Sequence, residues 1–126
     1  MKLHRGMCMN IDAVLNRKEV YHRVDDDMEL LQELIELFLE DYPQLMSDIH
    51  SAIQNGDATA LKSSAHTLKG SVSNFCAQSA VDAALKLEIA GGNEDLSTAE
   101  ADFVTLQTSM NEVSNALEEL ARDCVS

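Results

Sequence analysis

The sequence predicts an all-α domain, a four-helix up-down bundle with a short additional helix at its N-terminal end. Strand signals are nearly absent: there is one proline, no tryptophan and few aromatic residues, against abundant Ala, Leu, Glu, Met and Gln, all good helix formers. Apolar residues recur three and four apart in successive segments, the spacing that places them on one face of a helix. Breaks at "QNGD" (54–57) and "GG" (91–92) cut these segments into bundle-length pieces. At 126 residues the chain is one domain with a real core and no room for a second.

Taken in order, residues 1–9 read as an N-terminal extension, expected to be flexible, and 10–126 as the bundle domain. "NIDAVLNR" (10–17) opens on a capping-type Asn and predicts a short helix. "DDDMELLQELIELFLEDY" (25–42) follows, its aspartates suited to the positive end of a helix dipole. Pro43 is expected at a bend or in the first turn of a renewed helix carrying Leu45, Met46, Ile49 and Ile53. Asp57 can cap the next helix, about Ala58 to Phe75. Another spans roughly Ser79–Ala90, with Gly91-Gly92 as its C-terminal stop. The last, about 95–122, has the cleanest pattern: Leu96, Ala99, Phe103, Leu106, Met110, Val113, Leu117, Leu120 and Cys124 form one narrow apolar seam. Such a seam also suits a coiled coil or a dimer contact, but a single one among several amphipathic helices is more often one wall of a bundle, and a monomer is expected.

Charge and composition exclude several classes. A net charge of −13 leaves no basic surface for nucleic acid or an anionic membrane. No apolar run approaches the roughly 20 residues that span a bilayer. "MKLHRGMCMN" has a basic start but no apolar stretch behind it, so no signal peptide is read, and Met7 and Met9 are alternative starts. Cys8, Cys76 and Cys124 are odd in number and far apart, which fits reduced thiols in a cytoplasmic protein better than a disulfide framework. His4, His22, His50 and His66 show no metal-ligand spacing, so no metal and no cofactor are expected.

The stretch "SSAHTLKGSVSNFC" (63–76) holds the candidate chemistry. Leu61, Ala65, Leu68, Val72 and Phe75 cluster within about 80° of arc and define the buried face; His66 lies about 140° from its middle and points outward. Lys62, Lys69, Gly70, Ser73 and Ala77 share the exposed arc. An ordinary solvated histidine remains open on this geometry alone. Two features favour a function. Glycine in an exposed helix costs about 1 kcal/mol relative to alanine, and Gly70, four residues after His66, clears the flank of its ring. Residues 57–92 also carry three lysines against Asp57, Asp82 and Glu88, whereas 25–41 and 94–123 hold eight acidic residues each. A locally neutral, lysine-bearing patch on an acidic chain suits a phosphoryl group and its acidic carrier.

"AHTLKGSVSNFCA" resembles the signature of histidine-containing phosphotransfer (HPt) domains of multistep two-component phosphorelays: a histidine, any residue, an aliphatic residue, lysine, glycine, then small residues. The likeness covers about residues 10–122 in helix number and order, and its specific core is His66, Leu68, Lys69 and Gly70. The resemblance implies that His66 carries the phosphoryl group, that Lys69 stabilises it and that Gly70 admits the partner. "LKLEIAGG" supplies Glu88 where the family places the residue that orients the histidine. Lys62, Ser73 and Ala77 would complete the docking surface. The family usually has glycine where Cys76 stands, and cysteine disfavours positive φ, so a differently shaped turn is expected there.

By the same resemblance, Nε2 of a neutral His66 attacks an aspartyl-phosphate on a receiver domain of a response regulator or hybrid histidine kinase. The receiver would hold the magnesium and the aspartate, and this chain would be a carrier without kinase or ATPase activity. Three other readings fit the residues less well. A histidine-kinase fragment would follow the histidine with an acidic residue and later a proline, where Thr67 and Gly70 stand, and no nucleotide-binding glycine stretch is present. A metal-binding bundle lacks ligand spacing. An interaction module that docks receivers without being phosphorylated typically lacks the histidine.

Overall fold

The computed structural model describes the backbone of residues 14–125 and the side chains of 14–122. The extension at 1–9, the first half of the helix expected over 10–17 and the thiols of Cys8 and Cys124 lie outside the described residues. Within them the chain forms five helices: α1 (Arg17–Arg23), α2 (Met28–Asn55), α3 (Ala58–Ser73), α4 (Gln78–Gly92) and α5 (Ala99–Val125). The four long ones follow each other through short connections. α3 packs on α2 and α4, and α5 packs on the same two, closing the ring of an up-down bundle. α1 is a short additional helix, but it begins at Arg17, where the helix expected over 10–17 would end, because Asn16 caps it; Leu15 before it, Val20 within it and Val24 after it join the core.

Each start is written in a short polar side chain that accepts an otherwise orphaned backbone N–H. Asn16 accepts from Glu19 N at 3.1 Å, Asp27 from Leu30 N at 3.0 Å and Asp57 from Ala60 N at 3.0 Å. Of the three aspartates expected at the start of α2, only Asp27 caps it; Asp25 and Asp26 form the preceding turn at φ 53° and 61°. Gly56 ends α2 in the left-handed conformation at φ 66°, where a side chain would be strained.

Pro43 does not restart the helix. α2 runs unbroken for 28 residues with Pro43 inside it. The missing N–H costs one intrahelical bond at the Leu39 carbonyl. Leu31, Ile35 and Phe38 before the proline and Met46, Ile49 and Ile53 after it lie on one buried face, and that continuous burial carries the helix through. The seam of α5 is as expected from Ala99 to Leu120, with Ala116 also buried. The helix starts later than expected because Asp95 accepts from both Ser97 N (3.1 Å) and Ser97 Oγ (2.7 Å), forming a local turn in competition with a helix.

α4 ends at Gly92, within two residues of the stop that Gly91-Gly92 predicts. Both glycines are helical, and the left-handed residue that follows is Glu94, at φ 56°. Gly91 is needed for packing: a Cβ there would sit 2.7 Å from the carbonyl oxygen of Ala58 and 2.7 Å from the amide nitrogen of Lys62. The backbones of α3 and α4 touch at this point. Cys76 also departs from expectation. It adopts φ 56°, the conformation glycine would supply, so the turn leaving α3 keeps a glycine-like shape. The left-handed region costs an L-residue roughly 1–2 kcal/mol, and the buried neighbours Phe75 and Ala77 hold Cys76 in it.

Gly91→Ala is expected to lower stability by about 1–3 kcal/mol, the usual cost of overpacking, because both contacts are backbone atoms that cannot turn aside. Urea unfolding measures this; an unchanged midpoint would mean that α3 and α4 can separate freely.

Candidate functional site

The α3 face built on Leu61, Ala65, Leu68, Val72 and Phe75 is buried throughout, which turns His66 outward. Its side chain is 67% exposed. Across the α3–α4 interface Glu88 extends from α4, and its Oε2 lies 3.0 Å from His66 Nδ1. The other oxygen, Oε1, is 2.8 Å from Nζ of Lys69, one turn beyond His66 on α3. Glu88 thus bridges a histidine and a lysine at i and i+3, and its side chain is only 17% exposed.

The Lys69 ammonium is the main reason that Glu88 is held below the usual glutamate range; burial opposes it, and the bond to His66 assists. An ionised carboxylate only accepts. Nδ1 of His66 therefore donates to Oε2, and in the neutral ring the lone pair is on Nε2, away from Glu88. The result is a nucleophile presented to solvent and oriented from behind by a shielded carboxylate.

Gly70 is exposed, and a Cβ there would meet nothing within 4 Å. No internal contact asks for glycine at this position, in contrast to Gly91. Ser73 is half-buried and donates its hydroxyl to the Gly70 carbonyl at 2.8 Å. Lys62 is exposed, on the α3 turn against which Gly91 packs. Ala77 is not part of this surface. It is fully buried at the start of α4, because the turn at 74–76 carries the chain off the exposed arc of α3 and into the core.

One further surface, on α2, lies outside the residues that the sequence singles out. Leu30, Leu34 and Leu37 are 40%, 39% and 56% exposed along α2. Beside Leu34 and Leu37 a groove of about 140 Å³ runs between α2 and the end of α3, lined also by Phe38, Asp41, Ser71 and Asn74. The signal was available: α2 carries this second set of leucines one residue out of step with the buried Leu31, Ile35 and Phe38. Among the described residues there is no cluster of side chains able to hold a metal ion, and no helix is long and apolar enough to cross a membrane.

The Hpt domain family model matches residues 33–123. The chain belongs to the Hpt domain family, the histidine phosphotransfer proteins of phosphorelays, whose members are phosphoryl carriers and not kinases. Among solved structures it is similar to the crystal structure of histidine-containing phosphotransfer protein B (HptB) from Pseudomonas aeruginosa PAO1. The sequences are 25% identical, the match covers 83% of this chain and 92% of that one, and the TM-score is 0.77. No curated protein matches the sequence.

The depressed pKa of Glu88 gives a pH dependence of definite sign. Its ionised form is favoured by folding, so the contribution is complete above the ordinary glutamate range and is lost as pH falls through the lower folded value. The stability difference between the protein and its Glu88→Gln variant should therefore be constant near neutrality and change only in acid. Urea unfolding at a series of pH values tests this; a difference that changes between pH 6 and 8 would assign it to another group.

Proposed function

We propose that His66 is the phosphoryl-carrying residue and that this chain relays the group between aspartates of receiver domains in response regulators or hybrid histidine kinases. The observation that carries the reading is the 3.0 Å contact of Nδ1 with Glu88 behind a ring that is 67% exposed. The Nε2 lone pair forms the N–P bond in line as the P–O bond to the receiver aspartate breaks, and the carboxylate leaves. Charge developing on the imidazole is offset by Glu88, as in carboxylate-oriented histidines elsewhere. Phosphoryl transfer asks a protein for little beyond position and electrostatics. On this reading Lys69 is close enough to turn its ammonium to the phosphoryl oxygens, a charge-assisted contact.

The docking surface follows from what lies bare beside the histidine. Gly70 keeps the exposed arc of α3 low, with Lys62 and Ser73 on the same arc. Past Gly70, Ser71 and Asn74 lead to the α2 groove and its leucines. Several large apolar side chains exposed in a row on an otherwise acidic helix mark a protein-binding face. We assign this face to the receiver.

Incubation with a phosphorylated receiver should add one acid-labile phosphoryl group to the intact mass and none to His66→Gln. Labelling of that variant, or none of the parent by any receiver, would overturn the carrier role. Gly70→Ala is expected to stabilise the fold by about 0.5–1 kcal/mol while slowing transfer at least tenfold. Urea unfolding and a receiver transfer time course measure the two effects, and unchanged transfer would remove Gly70 from the docking surface.

A further inference from the structure

We propose that Lys69 is a positioning residue that acts on His66 through Glu88, holding the neutral imidazole in the tautomer whose Nε2 is free, before any phosphoryl group arrives. Its consequence for transfer rests on the carrier reading above; its structural content does not. The ground is the division of the Glu88 carboxylate. Oε2 serves the imidazole at 3.0 Å and Oε1 faces Lys69 at 2.8 Å. With Lys69 in place Oε1 is shut off from solvent, so the lysine side chain is what covers it.

Replacing the lysine by an apolar side chain of similar length keeps that oxygen covered and takes away its cation, which is costly. The Glu88 side chain has two ways out. It can swing towards water and abandon Nδ1. Alternatively it can take up a proton, and the resulting carboxylic acid donates to Nδ1 instead of accepting from it. Either way Nδ1 loses its acceptor. In the second case Nδ1 must hold the lone pair and Nε2 the proton, which disarms the nitrogen that faces the partner. The lysine thus sets the direction of a hydrogen bond to which it does not itself belong. Its position one turn after His66 on the same helix, with Glu88 supplied by α4, lets all three groups meet only when the two helices are in register.

The test reads the tautomer directly. Long-range ¹⁵N–¹H correlation spectra of the unphosphorylated, ¹⁵N-labelled chain at mildly alkaline pH distinguish Nδ1–H from Nε2–H. The parent should show His66 as Nδ1–H. Lys69→Met should move it towards Nε2–H and slow phosphoryl transfer about tenfold or more, and Lys69→Arg should restore Nδ1–H. In a Glu88→Gln background the neutral amide oxygen accepts from Nδ1–H without a cation, so adding Lys69→Met should leave the tautomer as it was. Far-UV circular dichroism establishes that each variant is folded. An unchanged tautomer in folded Lys69→Met overturns the inference and leaves Lys69 to act on the phosphoryl group alone. A shifted tautomer in a chain that no receiver labels would sustain the inference while removing the carrier reading.

Discussion

The site depends on the backbone contact between α3 and α4 at Gly91. Few helix pairs approach so closely that a single Cβ would lie 2.7 Å from two backbone atoms of the neighbour, and here the contact sets the relative position of the two helices. They run antiparallel. Three residues back along α4 from Gly91 is Glu88, and four residues on from Lys62 is His66, displacements of about 4.5 Å and 6 Å at the helical rise. The register that seats Gly91 over Lys62 thus also brings the carboxylate level with the imidazole. A shift by one turn would pair His66 with an unrelated α4 residue. The 3.0 Å hydrogen bond is a consequence of packing about one helical turn away.

The second organising feature is a gradient of exposure across three charged or polar groups. His66 is 67% exposed, Lys69 27% and Glu88 17%. Electrostatic interactions strengthen as water is excluded, so the ion pair is placed where it is effective while the nucleophile stays where a partner can reach it. A fully buried triad would have no access. A fully exposed one would give Glu88 little hold on the ring, since exposed pairs contribute little. With 22 acidic residues against 9 basic ones, the chain also surrounds this local neutrality with negative surface, which leaves α3 and α4 as the region where an anionic group meets least repulsion.

Much of this was legible in the residues themselves. The 3.6-residue periodicity predicted the buried face of α3 and that of α5 from Ala99 to Leu120 apart from Ala116, and with them the outward direction of His66. Asp57 and the "QNGD" break were read correctly because capping and left-handed turns are local chemistry. What failed was decided by contacts distant in sequence. Pro43 is a local helix breaker overruled by burial on both sides of it. Gly91-Gly92 marks the end of α4 as its local form predicts, but what requires glycine at 91 lies with Ala58 and Lys62, more than 25 residues earlier. Ala77 followed the wheel of α3 onto the exposed arc because nothing local showed that the turn at 74–76 intervenes. The exposed leucines of α2, Leu30, Leu34 and Leu37, stand one residue out of step with the core set, an offset that marks a second face. The pairing of Lys69 with Glu88 needed the register of two helices and could not be read from either one.

Cys76, Gly70 and Gly91 show how α3 and its surroundings divide stability from function. Gly91 has no alternative, since packing excludes every larger residue. Gly70 has no internal reason to be glycine, and its cost of about 1 kcal/mol is returned by no contact in the molecule. Cys76 stands in a left-handed turn that glycine would occupy more easily, and it is tolerated because Phe75 and Ala77 are anchored on either side. The helix that carries His66 therefore bears an unrepaid glycine in its exposed arc and a strained residue just beyond its end, and it is kept helical by Leu61, Ala65, Leu68 and Val72, all completely buried. Stability comes from one face of α3, which leaves the opposite face free to be shaped by what must approach it.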